Sequence, residues 1–343
     1  MKDKFFDLTK DEEDRARAIY ERSVVIDCSN VPKLDSSYFQ RRIEIGITAE
    51  NVTVPMPSDH FLKAVDALLS HRHWIEKNVD TAIHVLRPDD VLRAKKERKA
   101  GVIFGPQNAN FLEGRLDFLD VIYSLGVRIA QLTYNEQNLI GNGCTERTDA
   151  GLSNFGIEVV KKMNKIGVVI DLSHCGVSTF MDAVKFSEDP VLCTHANCKA
   201  LNSNVRNKSD EQIVALAEKG GVVCLASYSP ICETKPQVRP TIIDFLAHVK
   251  HVVDLVGVDH VGLGMDFDDT LTKESHEEWA SEYPQIAAGI YFGMDSLFAE
   301  GLDRLELFPN IARGLVWKGY SDEEVAKILG GNVLRVLKRV WGE

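Results

Sequence analysis

With 343 residues and 44% hydrophobic content, the chain can build one large α/β domain or two medium ones around a substantial core. Its 40 Lys and Arg against 51 Asp and Glu leave a formal charge of −11 with no basic stripe, which excludes a phosphate-binding nucleic-acid surface. The start, MKDKFFDLTKDEED, has no signal-like apolar run, and no window approaches the roughly 18 apolar residues of a membrane span; with seven cysteines in no obvious pairing, a cytoplasmic, reducing setting is expected.

Taken in chain order, the first apolar run is SVVIDCS (23–29), which meets a polar cluster of Asp27, Cys28, Ser29 and Asn30 before Pro32. IGITAENVTVP (45–55) is the second run. FLKAVDALLSHRHWIEKNV then reads as a helix, so His71 and His73, two apart, point to different faces and belong to its surface. AGVIFGPQN (100–108) ends in Gln107 and Asn108, and GVRIAQLTYN (126–135) ends in Tyr134 and Asn135. A helix over 152–167 follows, with Phe155, Val159, Met163 and Ile166 on one face and Gly167 as its stop. GVVIDLSH (167–174) closes on His174, and PVLCTHAN (190–197) carries His195 with Cys193 two residues earlier, expected deeper on the same side. Arg206 lies in the next loop. Ser209 and Gln212 have capping-box spacing at the start of a helix that stops at Gly220. GGVVCLASYS (220–229) is the seventh run. His248 and His251, on a later helix, read as a solvated face, and His60, His84 and His276 fall in helical or loop stretches. HVGLGMDFD (260–268) is the eighth run, and it carries Asp266; Ser321 and Glu324 then repeat the capping box.

Eight mostly continuous apolar runs separated by helices predict parallel strands buried on both faces, hence a (β/α)8 TIM-like barrel with extra terminal helices, as a single domain over 1–343. In such a barrel the carboxyl ends of the strands face the active site. His174 and His195, on consecutive strands, can share a metal or a substrate, or simply bond each other in the core. Asp266 can serve as ligand, base or orienter of water, whereas Asp268 and Asp269 suit turn capping. Tyr134 can donate to an oxyanion, Gln107 and Asn108 can bind but not act as bases, and Arg206 can clamp a carboxylate. Cys28 is a candidate ligand or nucleophile; the other cysteines read as small buried apolar groups.

From GVRIAQLTYN through VVIDLSH, PVLCTHANCKALNSNVRNKSDEQ and VGLGMDFD to YSDEEVAKILGGNVLRVLKRVW, the chain resembles the zinc-dependent membrane (renal) dipeptidases and their bacterial relatives, in the family's order. The resemblance implies a metallo-dependent hydrolase barrel whose two zinc ions share a bridging water and glutamate. It places His174 and His195 as the ligands of one zinc, and Arg206 and Asp266 as residues handling the substrate carboxylate, proton or amine. Tyr134 stands where mammalian members have a histidine supporting the tetrahedral intermediate. The departures cluster. Ser29 stands where the first strand's histidine is expected, Val31 or a deletion where its aspartate is expected, and Gln107 at the bridging glutamate. The resemblance is thus to a bacterial branch lacking those ligands. It implies a dipeptidase-like metallohydrolase with a reduced centre of one zinc, or none, whose third ligand is open among Asp266, Gln107, Cys28 and Asp27. Non-peptidase acid–base chemistry and a non-catalytic small-molecule-binding barrel stay open beside it. The expected partner is a small dipeptide-like substrate, with no nucleic acid and no membrane, in a homodimer.

Overall fold

Parallel strands supply the frame of the computed structural model, which describes residues 4–35, 37–287 and 294–342. They are β1 (Ile26–Val31), β2 (Ala49–Val52), β3 (Ala82–His84), β4 (Ala100–Phe104), β5 (Ile129–Gln131), β6 (Val169–Asp171), β7 (Leu192–Cys193), β8 (Val222–Leu225), β9 (Val261–Leu263) and β10 (Phe267–Asp268). One sheet runs β10-β1-β2-β4-β3 and the other β5-β6-β7-β8-β9. Phe104 bridges Val127 in parallel, which joins the two. On the other side β9 continues into β10, whose Phe267 pairs with Asn30 of β1. The result is a (β/α)8-type barrel. All eight apolar runs contain a strand, and the last contains two. β3 is an addition: three residues without a surrounding apolar run leave no pattern to read.

Alternation along the strands sorts side chains into two layers. Ile26, Cys28, Ile129, Val169, Leu192 and Val222 turn inward and form one buried cluster with Val333, Val336 and Leu337. Those last three belong to the C-terminal helix Asn332–Trp341, which therefore packs beneath the barrel interior. Asn332 ties it there, donating to the carbonyls of Val258 and Val261 at the start of β9. Gly330 is needed for this approach, because a Cβ there would lie 2.6 Å from the carbonyl oxygen of Val24. The opposite, carboxyl end stays open.

The helix signals hold. Ser153 caps Asn154–Ile166 and Gly167 ends it at φ 76°. Ser209 with Gln212, and Ser321 with Glu324, form reciprocal capping boxes. Two expectations about side-chain placement do not hold. Cys193 belongs to the helix-facing cluster rather than the interior, because β7 stops after two residues and the alternation no longer carries through to His195. His248 is not on a solvated face; it is fully buried on Ile242–Val256. Its Nδ1 accepts from the amide of Cys198 and its Nε2 donates to the carbonyl of Cys232, both at 3.1 Å.

Burial holds the His248 imidazole down at about 4. Below the unfolded value of about 6.5 the unfolded chain takes a proton that the folded chain refuses. The stability from neutral His248 is therefore complete above that value and is lost as pH falls toward 4, by on the order of 3 kcal/mol. Urea midpoints should drop between pH 7 and pH 5, and His248→Gln should flatten part of that slope. A wild-type midpoint that does not move over this range would contradict the assignment.

Candidate active site

The peptide between β9 and β10 carries the feature that organises the open end. Asp266 has φ 65°, a left-handed conformation rare outside glycine. Its amide donates to the Ser29 carbonyl at 3.1 Å, and its Oδ1 accepts from Ser29 Oγ at 2.9 Å. These bonds turn the carboxylate into a cavity of about 490 Å³, with Gln107, Asn108, Tyr134, His174 and Arg206 among its lining. Six of the seven expected site residues thus line one cavity. The seventh, His195, lies at its base, with Nε2 4.0 Å from Asp266 Oδ1.

The two imidazoles are oriented from behind. His174 Nδ1 lies 2.6 Å from Asn135 Oδ1, which can only accept. His195 Nδ1 lies 2.8 Å from Thr194 Oγ1, whose own proton goes to Asp171 Oδ2 at 2.6 Å. Both rings therefore carry their proton on Nδ1 and present a lone pair on Nε2. Those two Nε2 atoms face each other at 2.8 Å. Burial, with Arg206 beside both rings, holds the imidazoles well below the usual histidine range, so they are neutral at pH 7. Two neutral acceptors aimed at each other repel unless a cation sits between them, and supporting hydrogen bonds of this kind are how proteins orient metal-ligating histidines.

A second ion finds no such donors. Gln107 Nε2 donates to Thr53 Oγ1 at 2.8 Å and Ser29 Oγ at 3.4 Å, and Ser29 passes its own proton to Asp266. This neutral chain occupies the side where the resemblance implied a histidine, an aspartate and a glutamate. Among the described residues no group of three or more His, Cys, Asp or Glu side chains is arranged to hold a metal. The histidine pair supplies two of the three ligands that a catalytic zinc normally takes, and the described residues do not fit a binuclear centre.

Cys28 and Asp27 drop out as ligands. Cys28 is packed in the apolar barrel interior. Asp27 is fully buried, with Oδ1 accepting from the amides of Met265 and Ser29. Asn108 is largely spent on structure, donating to Pro57 and accepting from Asn138. Asp268 caps its turn as expected, accepting from the amide of Thr270.

Tyr134 stacks on His174 with ring centroids 4.2 Å apart, and its hydroxyl accepts from Trp279 Nε1 at 3.3 Å. Burial pushes the phenol up to about 12, so it keeps its proton as a donor. Arg206 is not a solvated loop residue; it is 2% exposed, donating to the carbonyls of Ser173 and His195. It forms no ion pair among the described residues, which leaves a buried cation in need of an anion. Burial raises Asp266, opposed by Arg206 and the Ser29 bond. Tyr228, His276 and Trp279 also line the cavity and were missed. Tyr228 ends the seventh run as Tyr134 ends the fourth and could have been found by that parallel. Nothing in the sequence marks Trp279 or His276, on helix Lys273–Glu282, as pocket residues.

Comparison with known proteins identifies the family and the fold. A sequence profile described as membrane dipeptidase (peptidase family M19) matches residues 52–295. The dipeptidase tcpJ of Claviceps purpurea is 31% identical over 256 residues, 74% of this chain and 54% of that protein. The chain spans about half the length of the curated relatives it matches. An amidohydrolase from Pseudomonas aeruginosa superposes with a TM-score of 0.87 at 32% identity, over 96% of this chain and 99% of the other. The probable dipeptidase PvdM from the same organism shares the fold, with a TM-score of 0.78 at 18% identity, over 97% and 99%.

Proposed function

Because the chain belongs to the membrane dipeptidase family, peptidase family M19, we propose that it is a hydrolase cleaving the amide bond of a dipeptide or small carboxylated amino-acid derivative, with a centre reduced to one zinc ion. The observation that carries this reading is the orientation of the two Nε2 lone pairs, turned toward each other and each set by a hydrogen bond behind its ring. At 2.8 Å the nitrogens stand closer than the about 3.3 Å of two ligands on one tetrahedral zinc, so the rings would part slightly to take the ion. His174 and His195 would hold the ion, with Asp266 Oδ1 4.0 Å from His195 Nε2. Bound there, zinc supplies Lewis acidity and lowers the pKa of water.

The protein's own groups divide the remaining work. Arg206, buried and without a carboxylate partner among the described residues, receives the substrate carboxylate and fixes its orientation. Asp266, raised by burial yet kept aimed by Ser29, orients the attacking water and takes its proton. Tyr134, a protonated phenol stacked on His174, donates to the oxygen that gains charge as the carbonyl becomes tetrahedral. Gln107 holds Ser29 and Thr53 in place and presents its amide to the substrate. We place this chemistry in one barrel domain of a cytoplasmic homodimer.

The same 2.8 Å separation favours a second reading, in which a proton instead of a metal lies between the imidazoles and the site performs non-peptidase acid–base chemistry. Metal analysis of protein purified without added zinc, together with hydrolysis of a dipeptide panel, separates the two. One equivalent per chain and loss of turnover with a chelator are expected. Two equivalents would overturn the reduced centre. Metal-free protein whose activity ignores chelators would favour the second reading, and tight binding of a small acid without any turnover would favour a binding protein.

A further inference from the structure

Above the polar floor the cavity wall is aromatic. Tyr134, Tyr283, Trp279 and Tyr228 all line it, with successive ring centroids 6.2, 5.6 and 6.3 Å apart. The same wall carries Glu136 and Glu282, and neither forms an ion pair among the described residues. The arginine of this lining, Arg206, is at the floor. The Glu282 carboxylate is held by a hydrogen bond from the Tyr283 phenol. Two polar atoms of the wall have no partner among the described residues: the Tyr228 hydroxyl and His276 Nε2, on residues 9% and 8% exposed. Burial raises the Tyr228 phenol and lowers His276, so both are neutral.

An aromatic wall alone would suit any apolar side chain. Carboxylates without counter-ions at its rim and orphaned neutral polar atoms within it are poorly suited to one. An anionic side chain would be repelled by both glutamates. A cation answers each feature: it is attracted to ring faces, it neutralises the carboxylates, and an ammonium brings donors that a hydroxyl or ring nitrogen accepts.

We propose that this site selects substrates with a cationic side chain, an ammonium or guanidinium, seated against Trp279 and Tyr283 between Glu136 and Glu282, while Arg206 holds the carboxylate at the other end. The assignment rests on the hydrolase reading for its reaction but not for its binding. Cation–π attraction together with two carboxylates makes the expected preference roughly tenfold or more over an isosteric neutral chain.

Glycine-containing dipeptides with lysine, norleucine or glutamate at either position test it, by kcat/KM and by calorimetric titration of chelator-treated protein. The lysine peptide should exceed the norleucine peptide by at least about tenfold at one position, with the glutamate peptide weakest. Glu136→Gln with Glu282→Gln should collapse that ratio toward one, as should Trp279→Leu, with circular dichroism unchanged. Hydrolysis of all three peptides without a lysine preference overturns the proposal and leaves the hydrolase reading standing. Selective lysine-peptide binding lost in the double variant, without turnover of any peptide, supports it and overturns the hydrolase reading. Equal or stronger binding of norleucine overturns it, and so does no binding of any peptide.

Discussion

If the proposed one-zinc centre is right, His195→Ala is expected to leave the purified protein without zinc and to lower kcat/KM for a dipeptide by at least about a thousandfold, roughly 4 kcal/mol of transition-state stabilisation. The reason is local. A catalytic zinc normally draws on three protein ligands, and here two imidazoles supply a convergent pair of lone pairs. Removing one leaves His174 facing a void, and the Ser29–Gln107–Thr53 chain contains no group that could replace it as an anionic or imidazole donor. Because His195 is fully buried, alanine also opens a cavity, so His195→Gln is the control that keeps most of the volume. Both variants should lose metal and turnover while retaining the wild-type far-ultraviolet dichroism. An unchanged hydrolysis rate in either would rule out the assignment of His195, whatever happens to stability.

Arg206→Lys should weaken the enzyme on free-acid dipeptides by about a hundredfold in kcat/KM, carried mostly by KM. Losing one partner of a buried, hydrogen-bonded charge pair costs about 2–5 kcal/mol, and lysine cannot present the planar fork that meets a carboxylate with two parallel bonds. Two of the guanidinium nitrogens already donate to the carbonyls of Ser173 and His195, so the charge is fixed in place before any ligand arrives. The discriminating substrate is the same dipeptide with its C-terminus amidated. Wild type should handle it poorly, and Arg206→Lys should add little further loss. If free acid and amide respond equally to the substitution, Arg206 is structural support for the His174 and His195 loops and not the carboxylate clamp.

Strand ends were legible because a barrel's chemistry lies at the carboxyl ends of its strands, and a run of apolar residues stopping at a lone polar one marks that place. Tyr134, His174 and Asp266 were found in this way, and all three line the cavity. Arg206 was harder: a loop arginine resembles solvated surface until the loop is seen to fold over the barrel and bury it. His248 was misjudged for the same reason. Two histidines three apart on a helix look like an exposed face, but the helix has a wide buried face, and the carbonyl of Cys232 with the amide of Cys198 gives the imidazole a buried place.

The sequence by itself determined the barrel, because alternation, capping boxes and apolar runs act over a few residues and each chooses its own local conformation. It also determined that Ser29 and Gln107 stand where the resemblance implies a histidine and a glutamate, since that is read from residue identity alone, while it left Asp27 and Cys28 open as ligands. Only the tertiary structure decided what fills their place and where the remaining groups point. The bonds from Gln107 to Ser29 and from Ser29 to Asp266 join residues 78 and 237 positions apart, and the facing lone pairs of His174 and His195 depend on Asn135 and Asp171 behind them. Such contacts are set by closure of the barrel, where strands far apart in sequence become neighbours, and no local pattern encodes them.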